Sequence, residues 1–254
     1  MRFLKSVSLS FLLLVLVWPA SHLQASGFQR QILISPEVHS DGRVTFRLRA
    51  PNAKSVGVNV QFAQGVQPMT RNDSGVWSVT LGPVKPEIYE YSLVVDGLQI
   101  VDPANSWIKM WIRTSKNLVE IPGKEPMFFQ QQNVPHGTVH RHMYPSKSLG
   151  VTRGLYVYTP PGYETNENAQ YPVLYLLHGM GDTEDAWTVV GRANIIVDNL
   201  LAAKKARPLV IVMPYGHTPS APPDMRSIGR YAAYEKDLTE DIIPYIQKNY
   251  RVST

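Results

Sequence analysis

Residues 171–187 read YPVLYLLHGMGDTEDAW, and this stretch constrains the chain more than any other. The apolar run 173–177 is too short for a helix of ordinary length. It reads as a buried strand that stops at His178-Gly179-Met180-Gly181-Asp182. The two glycines let backbone N–H groups in such a turn come close to a ligand. Asp182, Glu184 and Asp185 then open a predicted helix, where acids act as caps favoured by the helix dipole. A buried strand, a glycine turn and a helix in succession call for a layered α/β arrangement.

The chain begins differently. Arg2 and Lys5 precede an apolar run over 7–18, broken only by Ser8 and Ser10. Leu23-Gln24-Ala25 offers a cleavage site ending in a small residue. Residues 1–25 are therefore expected to be a secretory signal peptide, the run being too short to span a bilayer comfortably, with an uncleaved anchor as the competing reading. No other stretch reaches transmembrane length, so no stable membrane span is expected after cleavage. Losing Arg2 and Lys5 lowers the net charge from +5 to +3. The remaining basic residues are scattered, which argues against a nucleic-acid partner. The 254 residues contain 0 Cys, which excludes disulfides, a thiolate nucleophile and thiolate zinc sites. An exported chain of this kind fits a bacterial periplasm or exterior.

Residues 28–122 read as all-β. In 43–50, RVTFRLRA, Val44, Phe46 and Leu48 face one way and Thr45, Arg47 and Arg49 the other. Strands are also predicted over 55–62, 76–81, 87–95 and 98–101, with Asp73-Ser74-Gly75 and Asp96-Gly97 as turns. Short strands at this spacing describe a β-sandwich. The order RLRAPNAKSV, GVWSVTL, YEYSLVVDG, VDPAN resembles the immunoglobulin-like (E-set) domains that precede catalytic domains in secreted esterases and glycogen-acting enzymes. That resemblance offers Trp77, Trp107 and Trp111 as sugar-binding aromatics. The competing reading is packing, with Trp107 and Trp111 plugging a seam to the next domain.

Residues 123–135, rich in Pro and Gln, read as a linker or surface strap. From 136 to 254 the pattern is mixed. Strands are predicted over 137–144, 153–159, 173–177 and 209–213, and helices over 193–205 and 235–250. Pro244 should kink or break the second helix. Strands alternating with helices point to a mostly parallel sheet.

Five segments in order carry a second resemblance: VYTPPGY (157–163), YPVLYLLHGMGD (171–182), GRANIIVDNLLA (191–202), PLVIVMPYGH (208–217) and YEKDLTEDIIPYIQKNYRV (234–252). Together they resemble the feruloyl- and acetylxylan-esterase group of carbohydrate esterases. That group is a branch of the α/β-hydrolases similar to esterase D, enterochelin esterases and mycolyltransferases. The expected architecture is an immunoglobulin-like (E-set) sandwich followed by the N-terminal part of an α/β-hydrolase domain.

The resemblance implies ester hydrolysis by a Ser–His–Asp triad, with backbone N–H groups holding the oxyanion at about 3–4 kcal/mol per donor. It places one donor at the Met180 N–H, with Gly179 and Gly181 shaping the turn. The catalytic base follows the nucleophile in chain order, so His178 is read as structural. Trp187 and His217 are candidate substrate contacts. Their competing readings are packing beneath the turn and a solvated loop. His136, His140 and His142 cluster, but no nearby acid or Cys completes a site, and no metal or cofactor is expected.

No serine of the 254 lies in G-x-S-x-G, and Ser227 and Ser253 lack its context. In the resembling family the nucleophile strand begins just after a segment like 248–252, and acid and base come later. The chain is therefore expected to lack nucleophile, acid and base, to be inactive by itself, and to leave strand 173–177 with an open edge prone to aggregation. The expected substrate is an ester-substituted carbohydrate or another small ester. Two alternatives remain: a non-catalytic sugar-binding module with a degenerate hydrolase remnant, or a siderophore esterase or acyltransferase of the same fold.

Overall fold

The computed structural model describes residues 32–219 and 228–253. The expected signal peptide, the first residues of the sandwich and Ser227 lie outside the described residues. Leu33 onward forms one compact unit. Among the described residues, no helix is long and apolar enough to cross a membrane.

Ten strands build the first half: β1 (Glu37–Val38), β2 (Val44–Arg49), β3 (Val56–Val60), β4 (Val66–Pro68), β5 (Thr70–Arg71), β6 (Val76–Leu81), β7 (Glu87–Val95), β8 (Leu98–Ile100), β9 (Ile108–Lys109) and β10 (Lys116–Ile121). One sheet has the order β1-β2-β6-β5 and the other β4-β3-β7-β10-β9, with β8 also on β7. Every pairing in both is antiparallel. Val44, Phe46 and Leu48 of β2 enter one core with Val56, Val58, Val60, Tyr91, Leu93, Val119 and Ile121. The alternation of β2 thus becomes the inner face of a sandwich, as the sequence implies. Asp96 and Gly97 both take positive φ, which lets the two-residue turn between β7 and β8 follow the strand twist.

β10 has no alternating signal, because Asn117, Leu118 and Val119 are all buried. Asn117 Oδ1 accepts the Asp102 N–H at 2.6 Å. Asp102 Oδ2 in turn accepts from Ser35 Oγ at 2.6 Å and from the Tyr91 hydroxyl at 3.0 Å. Asp102 of the VDPAN motif is thus a buried polar pin. Burial raises the Asp102 carboxyl above its ordinary range, and the donors around it only partly oppose this.

The second half holds β11 (Thr138–Ser146), β12 (Val151–Thr159), β13 (Val173–Tyr175), α1 (Ala186–Val189), α2 (Ala193–Ala202), β14 (Val210–Pro214), α3 (Ile228–Lys236), a π-helical segment Asp237–Ile242 and α4 (Ile243–Asn249). Sheet order is β11-β12-β14-β13. The expected mostly parallel sheet is corrected here. β13–β14 is parallel, while β11–β12 and β12–β14 are antiparallel. β11 and β12 are joined by residues 147–150, too short for a helical crossover, so they can only form a hairpin.

Helices cover both faces. Val210 and Val212 of β14 pack with Ile242 and Ile246, while Ile211 and Met213 pack with Ala193, Val197 and Trp187. The helical run 228–249 does not break at Pro244 but changes register just before it. Proline offers no N–H to the helical ladder, and a π segment accommodates the mismatch.

β13 departs from the expected buried strand. It lies at the sheet edge, with Leu174 44% and Leu177 48% exposed. On its outer side Tyr171 pairs in parallel with Val252. The Tyr171 N–H donates to Arg251 O at 3.0 Å and the Ser253 N–H to Tyr171 O at 2.9 Å. The last described residues therefore bridge to this edge at Tyr171.

Candidate active site

β13 delivers the glycine turn. The Leu176 N–H still bonds Val212 O at 2.8 Å, and beyond it the chain leaves the sheet. His178 Nε2 accepts the Gly216 N–H at 2.8 Å, so its proton sits on Nδ1, which donates to Gly179 O at 2.8 Å. His178 joins the loops after β13 and β14, as expected of a structural histidine.

The rest of the turn is held from several sides. The Asp182 N–H donates to Gly179 O at 3.1 Å, and His217 Nε2 donates to Asp182 O at 3.1 Å. Gly181 has φ +96°, a conformation that L side chains rarely adopt. Its carbonyl accepts the Ile112 N–H at 2.9 Å. Gly179 and Gly181 thus contribute carbonyl acceptors to the turn, while the Met180 N–H has no hydrogen-bond acceptor among the described residues. An N–H bonded into backbone could not serve an oxyanion; this one is not so engaged.

A cleft of about 220 Å³ is lined by Leu177, His178, Gly179, Met180, Gly216, His217, Tyr231 and Tyr234. His217 therefore lines the cleft while also fixing the turn. Its ring lies 5.0 Å from that of His178 and 5.3 Å from that of Tyr215. Behind the cleft, buried Arg153 holds the 215–217 loop through the carbonyls of Tyr215 and His217, the latter at 2.7 Å. Arg153 Nε lies 3.1 Å from buried Asp237 Oδ2, which also accepts the Tyr144 hydroxyl at 2.8 Å. This contact is an ion pair without hydrogen-bond geometry at Nε. Burial, and then the Asp237 charge, raise the Tyr234 phenol above its ordinary range.

Trp187 is not presented to the cleft. Its indole N–H donates to Leu177 O at 2.8 Å, and its ring lies against Gly191 and the core beneath the turn. The ring thus packs beneath the turn, the competing reading, while staying only partly buried. Asp182 is not a helix cap but an ion-pair partner of Lys109 at 3.0 Å. Asp185 occupies the N-cap of α1 without a side-chain capping bond.

The histidine cluster is engaged elsewhere. His136 Nδ1 lies 3.0 Å from Asp198 Oδ2, His140 bonds Thr159, and His142 bonds the Tyr250 hydroxyl. Among the described residues, no group of three or more His, Asp or Glu could hold a metal ion.

The sandwich tryptophans divide. Trp77 donates to Ala50 O at 2.8 Å and packs on the sandwich core. Trp107 donates to Val189 O at 3.2 Å and stacks under Arg192, whose guanidinium also meets Glu120 at 2.7 Å. The Trp111 indole presses on Gly181. Both Trp107 and Trp111 sit at the seam. Sequence reasoning missed Lys109, Arg153, Tyr231 and Tyr234. Lys109, Arg153 and Tyr231 lie in no motif, Tyr234 only opens the segment 234–252 without a role being read for it, and it is the fold that brings them near the turn and its cleft.

Residues 146–254 match the family model "Putative esterase", and residues 34–107 match Carbohydrate-binding module 48 (Isoamylase N-terminal domain). The chain is 36% identical over 223 residues to an endo-1,4-beta-xylanase/feruloyl esterase of Xylanibacter ruminicola, covering 85% of this chain and 30% of that protein. The enterochelin esterase of Shigella flexneri superposes with a TM-score of 0.60 at 15% identity, covering 86% of this chain and 63% of that one, a likeness of fold. A CE1 ferulic acid esterase from Anaeromyces mucronatus, solved with ferulic acid, is 31% identical over 52% of this chain and 50% of that one, with a TM-score of 0.46. The chain thus spans less than two thirds of the length of each of these relatives. It joins a carbohydrate-binding-module-48 (E-set) β-sandwich to part of an esterase-family α/β-hydrolase domain.

Proposed function

We propose that this chain is the N-terminal portion of an exported bacterial serine carboxylesterase that cleaves feruloyl or acetyl esters on plant polysaccharide. The observation that carries the reading is the turn at 179–182. Its neighbouring groups are held by the protein, and the Met180 N–H at the rim of the cleft has no acceptor among the described residues. A fixed, unsatisfied backbone donor suits an oxygen that gains negative charge during acyl transfer. The parallel bridge of Val252 to Tyr171 suits a further strand beside β13 that would deliver a nucleophile next to that turn. The name of the Xylanibacter relative supports a feruloyl ester as substrate.

The 254 residues hold no G-x-S-x-G, so the chain by itself is expected to turn over neither nitrophenyl nor feruloyl esters. Turnover at the rate of an intact serine esterase would overturn that expectation. The reading frame continued past codon 254 should encode a strand ending in G-x-S-x-G, then Asp, then His. A product carrying them should release ferulate, and in it Met180→Pro, which deletes the N–H, should lower kcat by about 10²–10³. A stop codon directly after Thr254 would instead favour a sugar-binding module with a hydrolase remnant. Preference for a siderophore or a transfer acceptor would redirect the substrate assignment.

A further inference from the structure

The glycine turn is clamped by the sandwich as well as by its own domain. Three contacts reach it from residues 109–112. The five-membered ring of the Trp111 indole lies against Gly181, so closely that a Cβ at this position would overlap it. The Ile112 N–H donates to Gly181 O at 2.9 Å. Lys109 Nζ lies 3.0 Å from Asp182 Oδ1 and 2.6 Å from Glu90 Oε1. Glu90 is anchored further by Lys116 at 2.9 Å. These contacts bracket Met180 on its C-terminal side, and its side chain lines both the cleft and a neighbouring recess of about 200 Å³ that includes Glu90, Lys109 and Trp111.

We infer that segment 109–112 of the sandwich is a positioning element for the oxyanion turn, with Trp111 and Lys109 fixing where the Met180 N–H points. This rests on the oxyanion role proposed for Met180. A donor helps catalysis only if it is already aimed at the developing charge, and a turn built on a glycine at φ +96° has no side chain of its own to hold it. The indole supplies that support. Trp111 and Lys109 touch no reacting atom in this scheme and act through the turn. Trp107 offers an internal control, because it joins the same two halves at Val189 without contacting the turn.

The test is hydrogen exchange by NMR on the 254-residue chain. Trp111→Ala should speed exchange of the Ile112 and Asp182 amides about tenfold, while the amides of β14 stay protected. Trp111→Phe, which keeps a flat ring on Gly181, should restore most of the protection, and Lys109→Met should give a smaller acceleration at Asp182. Trp107→Ala should leave both amides unchanged. Equal exchange in Trp111→Ala and the parent would overturn the clamp, as would the same acceleration in Trp107→Ala. If Trp111→Ala does not fold, the Phe and Met variants decide the question alone. In a product with esterase turnover, Trp111→Ala should lower kcat at unchanged KM. Faster exchange with unchanged kcat would overturn the positioning role. The exchange measurements need no turnover, so a failed Met180 assignment and a failed clamp give different results.

Discussion

β2 alternates apolar and polar residues while β13 is apolar throughout, and the two end in opposite surroundings. β2 lies between β1 and β6, and the second sheet covers Val44, Phe46 and Leu48. β13 has β14 on one side and on the other a single bridge from Tyr171 to Val252, and Leu174 is 44% exposed. β14, next door, is buried at all five positions because strands flank it and helices lie on both faces. Burial is thus a property of the neighbours and not of the run itself. The sandwich supplies its own neighbours, whereas the sheet of the second half does not supply them all for β13.

The largest expected effect breaks the closed side of this comparison. Phe46→Ala should cost about 3–5 kcal/mol, because a fully buried ring is removed from a close-packed core. Denaturant unfolding should show it as a loss of the sandwich transition. Gly181→Ala should cost about 1–3 kcal/mol, from positive-φ strain and from displacement of Trp111. Faster exchange at the Ile112 amide should accompany it.

Leu174→Lys tests the open side. A charge on an exposed edge strand should change stability by less than about 0.5 kcal/mol yet reduce self-association, read by light scattering. An unchanged tendency to associate would mean that the β13 edge is not the adhesive surface.

The smallest effect concerns pH. Burial opposes the charged form of Glu90, but hydrogen bonds from Lys109 and Lys116 outweigh it and hold the carboxyl below its ordinary range. A depressed carboxylate adds stability that is present above its unfolded value of 4.5 and is lost as pH falls through the lower folded value. Asp102 has the opposite sign. Its raised folded value favours the native state as pH falls from above that value toward 3.8. Glu90→Gln should therefore remove the acid-side loss at the seam while leaving the sandwich term in place, as read by thermal unfolding below pH 5.

Much of this was legible beforehand. The alternation of β2, the Asp96-Gly97 turn and the break after residue 177 are local signals, because strand period and turn chemistry depend on adjacent residues. Met180 is singled out only by the resemblance of its segment to the esterase group, with Gly179 and Gly181 on either side of it. β10 escaped notice because it is covered on both faces and so lacks a period. Trp187 was ambiguous because an aromatic after a turn can point either way, and only the packing of Gly191 and the core sends it inward.

By itself, the sequence determined that a sandwich precedes a partial α/β domain and that a glycine turn follows an apolar strand. The strands and the turn depend on patterns within a dozen residues, whereas the domain order and its partial character rest on the resemblance of segments spread along the chain. Only the tertiary structure decided that Trp111, Ile112 and Lys109 brace that turn from about 70 positions away along the chain. Such contacts arise from how two preformed surfaces meet, and nothing in the local sequence of either one encodes the other.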